Sequence, residues 1–300
     1  MKIYGLHLLL TYQCTFECDH CFVWGSPWQS GVMTLRDVQL ILRQAQELGA
    51  IREIYFEGGE PFLYYPILLK ATQLAAQMGF QVGIVSNAYW ATSREDALQW
   101  LAPLAGLIQD LSVSSDLYHY DEMVSQQALN ASRAAEELGI PLGFLQIAQP
   151  ASTDSSVSQG QIASAELAKL MFRGRAVEKL AQLAPRTDWE ELDCCPYEDL
   201  ESPGRLHVDP LGYLHLCQGI AIGNLHRQPL AEIIRQYDPL THPIVAPLLS
   251  GGPAALARSY DLSLRGDFAD ACHLCYLSRL ALRPCFPEVL TPDQMYGVVN

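Results

Sequence analysis

Leu8-Leu9-Leu10-Thr11-Tyr12-Gln13-Cys14-Thr15-Phe16-Glu17-Cys18-Asp19-His20-Cys21 joins an apolar, strand-like run to a loop with three cysteines, spaced Cys-x-x-x-Cys-x-x-Cys. Such a loop can converge three thiolates on one metal centre. A zinc ion would need a fourth ligand, and His20, between two of the cysteines, is badly placed to turn inward. A cubane cluster that only carries electrons needs four cysteines. Three leave one iron without a protein ligand, and an open position is what a cofactor or substrate requires of a metal. The bland alternatives are a structural zinc loop or a chance cysteine-rich turn.

Working outward, short β-rich runs alternate with longer amphipathic stretches as far as about residue 173, which predicts βα units and a parallel sheet. Six strands are expected, near Tyr4 to Tyr12, Ile51 to Phe56, Gln81 to Ser86, Ile108 to Ser114, Leu142 to Ala148 and Ala168 to Phe172. The segment Met33 to Leu48 reads as a helix: Thr34 can cap it, Val38, Ile41, Leu42 and Ala45 share one face, and Gly49 stops it. Another helix is expected over Glu122 to Leu138. Pro150 to Gln161, rich in serine, glutamine and glycine, reads as a loop and a candidate mobile element. After about Arg186 the pattern turns to short strands, turn residues and isolated cysteines, as in a smaller second domain.

Composition narrows the function. The 300 residues are 49% hydrophobic, enough for a substantial core. No apolar run reaches the ~18 residues that suggest a span, and no secretory signal opens the chain, so no membrane association and a cytoplasmic location are expected. A formal charge of −14 would repel a phosphate backbone, which argues against nucleic acid as a partner. Nine cysteines in a reducing compartment suit metals or catalysis better than disulfides.

The three-cysteine loop resembles that of the radical S-adenosylmethionine (SAM) superfamily, whose members place this spacing after strand one of a partial (β/α) barrel. The resemblance implies a [4Fe-4S] cluster on Cys14, Cys18 and Cys21, with SAM chelating the open iron and His20 near the adenine. One electron, from a donor of flavodoxin or ferredoxin type, would split the sulfonium to methionine and a 5′-deoxyadenosyl radical, which abstracts a hydrogen atom. Phe56-Glu57-Gly58-Gly59-Glu60-Pro61 resembles the family's GGEP motif. There Gly58, Gly59, Glu60 and Pro61 would recognise the methionine amino group through backbone and carboxylate; the alternative is an ordinary βα turn.

Ser114 and Asp116 are similar to positions that bind the ribose hydroxyls, but could equally cap the next helix. Asn87, in Ser86-Asn87 at the end of strand three, and Arg175, in Arg173-Gly174-Arg175-Ala176, match polar and GRA-like segments that contact the cofactor. Arg175 could instead pair with a surface acid.

A second set, Cys194, Cys195, Cys217, Cys272, Cys275 and Cys285, lies in the last third. A hairpin-like Gly212-Tyr213-Leu214-His215-Leu216-Cys217 and the close pair Cys272-His273-Leu274-Cys275 look like a metal site. The arrangement is similar to the SPASM/twitch extension of the same superfamily. That implies an auxiliary [4Fe-4S] cluster on Cys217, Cys272, Cys275 and Cys195, with Cys194 as the rival fourth ligand and structural zinc as the alternative occupant. The expected fold is thus α/β, a partial (β/α)6 TIM-like barrel over residues 1–185 and a small twitch-like iron–sulfur domain over 186–300, with two clusters and SAM as cofactors. Because the chain begins almost at strand one, a separate amino-terminal peptide-recognition domain is not expected. Oxidation or rearrangement of a small molecule is the primary functional expectation, peptide modification the alternative, and non-catalytic electron transfer a third class, disfavoured by the open cluster.

Overall fold

The structure, a computed structural model, describes residues 1–150 and 167–298. From residue 151 onward, the loop expected over Pro150 to Gln161 lies outside the described residues. The first half runs β1 (Ile3–Leu9), α1 (Leu35–Leu48), β2 (Glu53–Glu57), α2 (Tyr65–Gln77), β3 (Gln81–Ser86), α3 (Arg94–Leu101), β4 (Asp110–Ser114), α4 (Gln126–Leu138) and β5 (Leu142–Leu145). There follow α5 (Arg175–Lys179), β6 (Thr187–Asp188), β7 (Gly204–Val208), β8 (Tyr213–Cys217), β9 (Ile220–Asn224), α6 (Leu230–Gln236), α7 (Val245–Ser259), β10 (Asp267–Phe268) and α8 (Ala271–Leu282).

The helix ends follow capping chemistry. Thr34 and Asp37 form a reciprocal capping box at the start of α1, and Gly49 ends it at φ 70°, as the sequence predicts. Helix α4 begins at Gln126, later than the expected Glu122, because Ser125 is its cap.

The main sheet has the order β5-β4-β3-β2-β1-β7-β8-β9. Strands β1 to β5 are parallel, β7 joins β1 in parallel, and β8 and β9 continue antiparallel. The expected sixth barrel strand is reduced, among the described residues, to a parallel bridge between Ile147 and Ala168. Beyond it Leu170 and Phe172 turn into a separate apolar cluster with Ala176 and Leu180, and the Phe172 amide donates to the Asp270 carboxylate at 3.2 Å instead of to a strand.

Alternation along the strands decides which face does what. On β2, Ile54 and Phe56 are fully buried, and on β4 so are Leu111 and Val113; they share a core with Ile41, Leu42, Ala71, Ala131 and other helix residues. The intervening Glu53, Tyr55, Glu57, Asp110, Ser112 and Ser114 line a cavity on the sheet's other face. The sheet therefore curls its polar face inward and packs its apolar face on helices. No helix among the described residues is long and apolar enough to cross a membrane.

Phe56 fills the middle of this core, so Phe56→Ala should lower the unfolding free energy by about 3–5 kcal/mol. Leu240→Ala, at a 71% exposed position, should change it by less than about 0.5 kcal/mol. Anaerobic denaturant titration of both variants checks the contrast.

Candidate active site and auxiliary cysteine site

The three-cysteine loop leaves the carboxyl end of β1 and is held by backbone contacts. The Cys14 amide donates to the Ser26 carbonyl at 3.0 Å, the Cys21 amide to the Cys18 carbonyl at 3.1 Å, and the Gly25 amide to the Cys21 sulfur at 3.2 Å. Cys14, Cys18 and Cys21 all line the main cavity, of about 1180 Å³, together with His20, Gly58, Gly59, Asn87 and Ser114. Asn87 Nδ2 stands 3.6 Å from the Cys14 sulfur and 3.0 Å from Thr15 Oγ1.

The glycine turn meets the loop before it meets any ligand. The Gly59 amide donates to the Thr11 carbonyl at 2.6 Å and the Glu60 amide to the Gln13 carbonyl at 2.9 Å. A Cβ on Gly58 would come 2.5 Å from the Thr11 carbonyl oxygen, and one on Gly59 would come 2.1 Å from that of Gln13. Only glycine permits that approach. Glu60 and Pro61 are buried behind the turn and do not line the cavity. The Glu60 carboxylate accepts from the Phe62 amide at 3.0 Å, the Ser86 hydroxyl at 3.0 Å and the Asn87 amide at 2.8 Å. Burial pushes its pKa up to about 7 against the lowering effect of those three donors. The expected rim carboxylate is thus a buried tie between the ends of β2 and β3.

Asp116 and Arg175 are also interior braces. Asp116 accepts from the Tyr118 and Ile147 amides, each at 3.0 Å, and lies 2.8 Å from His119 Nδ1. It does not cap α4, and neither does Ser114, which faces the cavity. Arg175 is buried and donates to the carbonyls of Cys18 at 2.7 Å and Gly25 at 2.9 Å, so it staples the cysteine loop, and it also lies 3.8 Å from the carboxylate of the exposed Glu17. His20 packs its ring against Tyr118 at 4.7 Å and His119 at 5.1 Å. Burial, then the His119 charge, lowers its pKa to about 4, which leaves a neutral imidazole on the cavity wall.

The second set converges separately. Cys195, Cys217, Cys272 and Cys275 line one small cavity, whereas Cys194 and Cys285 are exposed and do not line it. The break in α7 explains the choice between neighbours. Gly252 sits at φ 59°, where a Cβ would lie 2.2 Å from the Cys194 amide nitrogen, and the Ala254 amide donates to the Leu192 carbonyl at 3.1 Å. The chain before Cys195 is thereby pressed onto α7.

Two arginines border this set, Arg173 and Arg279, both buried. Sequence reasoning gave them no role there, since nothing in a linear pattern marks an arginine as interior. Arg173 donates to the Cys217 sulfur at 3.0 Å and lies 3.6 Å from Glu198. Arg279 donates to the Gln218 carbonyl at 2.7 Å, and its positive charge partly offsets the effect of burial on the Cys275 thiol. The Nε atoms of both are buried and have no hydrogen-bond partner among the described residues. Burial pushes the Cys14 and Cys275 thiols up to about 12 and raises Cys18, Cys21, Cys195 and Cys272 as well. Thiols so desolvated hold their protons until a cation replaces them. Both sets therefore fit thiolate-bound metal centres, and at the second the two guanidiniums offset the anionic charge.

Residues 8–147 match the model of the radical SAM superfamily. A protein named for peptide biosynthesis, YydG of Bacillus subtilis (strain 168), is 27% identical over 139 residues, which are 45% of this chain and 44% of that one. An S-adenosylmethionine-dependent nucleotide dehydratase of Fibrobacter sp. (strain UWH6) is 24% identical over 119 residues, 37% of this chain and 33% of that one. Each match spans less than half of the relative's length. Among solved structures, BtrN in complex with AdoMet and 2-DOIA is similar over 77% of this chain and 81% of that one, with 16% identity and a TM-score of 0.47. Streptococcus suis SuiB bound to S-adenosylmethionine is similar over 82% of this chain and 68% of that one, with 13% identity and a TM-score of 0.47.

Over residues 8–147 the chain is thus similar to the radical SAM superfamily. Because Glu60 serves the interior, Glu60→Ala should strand the Ser86 hydroxyl and the Asn87 amide and cost about 2–4 kcal/mol of stability. An anaerobic unfolding curve measures that loss.

Proposed function

We propose that this enzyme oxidises or rearranges a small polar molecule, with a catalytic [4Fe-4S] cluster on Cys14, Cys18 and Cys21 and an auxiliary [4Fe-4S] cluster on Cys195, Cys217, Cys272 and Cys275. The observation that carries the reading is Arg173, which lines both the main cavity and the auxiliary one. A substrate radical formed in the first cavity would thus lie one side chain from an electron acceptor in the second. When bound, SAM and the open cluster supply a 5′-deoxyadenosyl radical at the expense of one electron from an external donor of flavodoxin or ferredoxin type.

This chain's own residues do the rest. Asn87, His20 and Ser114 line the part of the cavity next to the cysteine loop, where they suit the cofactor's polar groups. Arg175 and the Gly58-Gly59 turn keep that loop rigid. For an oxidation, the chemistry that SAM would supply would take a hydrogen atom from the substrate, and the centre that Cys195, Cys217, Cys272 and Cys275 would hold would take the remaining electron as the substrate released a proton. Residues 1–185 form the barrel part in this proposal and residues 186–300 the twitch-like part.

Cluster occupancy of the second set is favoured over zinc by spacing. Among the described residues, the groups with three ligand atoms all within 4.8 Å are histidine–carboxylate triads, and the cysteine sulfurs form no such group. Four thiolates on one zinc at ~2.3 Å would stand about 3.8 Å apart. A peptide substrate is the second reading, favoured by the likeness to YydG.

Cys14, Cys18 and Cys21 replaced together by alanine should abolish 5′-deoxyadenosine formation from SAM and dithionite while the auxiliary centre survives. Iron analysis should fall from about eight to about four per chain. Undiminished cleavage by the folded triple variant would overturn the catalytic assignment, and about four irons with zinc in the wild type would overturn the auxiliary cluster.

A further inference from the structure

Three side chains outside both cysteine sets converge on the inner face of the sheet. His7 comes from β1, Glu57 from the end of β2 and His207 from β7, the strands flanking β1 on either side. His7 is the register partner of both Tyr55 on β2 and His207 on β7. The pleat therefore points both imidazoles to the same face, where Glu57, two residues beyond Tyr55, also points.

One carboxylate serves both rings. Glu57 Oε2 lies 3.0 Å from His7 Nδ1, and Oε1 lies 3.4 Å from His207 Nε2. A ligand atom from each of the three falls within 4.8 Å of the others. His207 is 5% exposed, whereas His7 and Glu57 lie on the wall of the main cavity.

We propose that His7, Glu57 and His207 bind a divalent first-row transition ion on the wall of the substrate cavity. Two imidazoles and one carboxylate select such an ion over magnesium or calcium, which prefer oxygen alone. Three protein ligands leave positions open toward the cavity, as in catalytic rather than structural sites. The ion would take an oxygen donor of the substrate, a hydroxyl, carboxylate or carbonyl, and so fix which C–H bond faces the cofactor. That second role rests on the radical reaction proposed above; the binding itself does not.

Manganese(II) tests the site because it favours nitrogen and oxygen over thiolate ligands. The reconstituted full-length enzyme is titrated anaerobically with manganese(II), and free ion is followed by electron paramagnetic resonance. One ion per chain is expected in the wild type, with binding weakened at least tenfold in His7→Gln and in His207→Gln while iron content is unchanged. Glu57→Gln, which keeps the side-chain volume, should behave like the histidine variants. No saturable binding in the wild type, or binding equally tight in all three variants, would overturn the proposal. A cleavage assay on the same samples reports separately on the radical chemistry, so failure of one reading is not mistaken for failure of the other.

Discussion

Backbone laid on backbone is the constraint from which the active site follows. Gly58 and Gly59 rest on the carbonyls of Thr11 and Gln13, with the Gly59 amide 2.6 Å from the Thr11 oxygen. This contact sets the height at which the cysteine loop leaves β1, and Arg175 pins the far side of the loop through the Cys18 and Gly25 carbonyls. Glu60 then carries the constraint to β3 by gathering Ser86 and Asn87, whose side chain reaches the Cys14 sulfur. Buried polar groups of this kind act as a network whose members are costly to remove singly.

The second site follows a different rule. Its cysteines come from a loop before β7, from the end of β8 and from the first turns of α8, so no local motif encloses them. Apolar packing of α7 against α8 and the glycine break at Gly252 bring them together, and two buried guanidiniums supply the counter-charge that four thiolates need. Arg173 belongs to both environments. A single residue thus couples the electrostatics of the substrate cavity to those of the auxiliary cysteines.

Much of this was legible in the sequence, and the failures have physical causes. Helix α1 was readable from Thr34 to Gly49 because its caps and its apolar face are local properties. The cysteine loop and the glycine turn were readable because their spacing is itself chemical. Glu60 and Asp116 were assigned to ligands because an acid beside a functional turn is ordinarily solvent-facing, whereas here backbone amides take up both carboxylates. The sixth strand was foreseen from composition, but Asp270, about a hundred residues away in sequence, claims the Phe172 amide. His7, Glu57 and His207 drew no notice because their convergence depends on β7 returning beside β1, which no window of sequence contains.

That return has a consequence for how the molecule assembles. β1 is an interior strand only when β7 is beside it, and nearly two hundred residues of chain separate the two. Until those residues have emerged, the first strand of the nascent barrel is a bare edge, with one row of unpaired amides and carbonyls open to any other extended chain. Pairing so distant in sequence also slows folding, since loop closure precedes its reward. The strand that seals the barrel's open edge thus lies in sequence between Cys195 and Cys217, two of the residues that would carry the auxiliary centre, and a chain truncated before β7 would have its cysteine loop next to an unprotected strand.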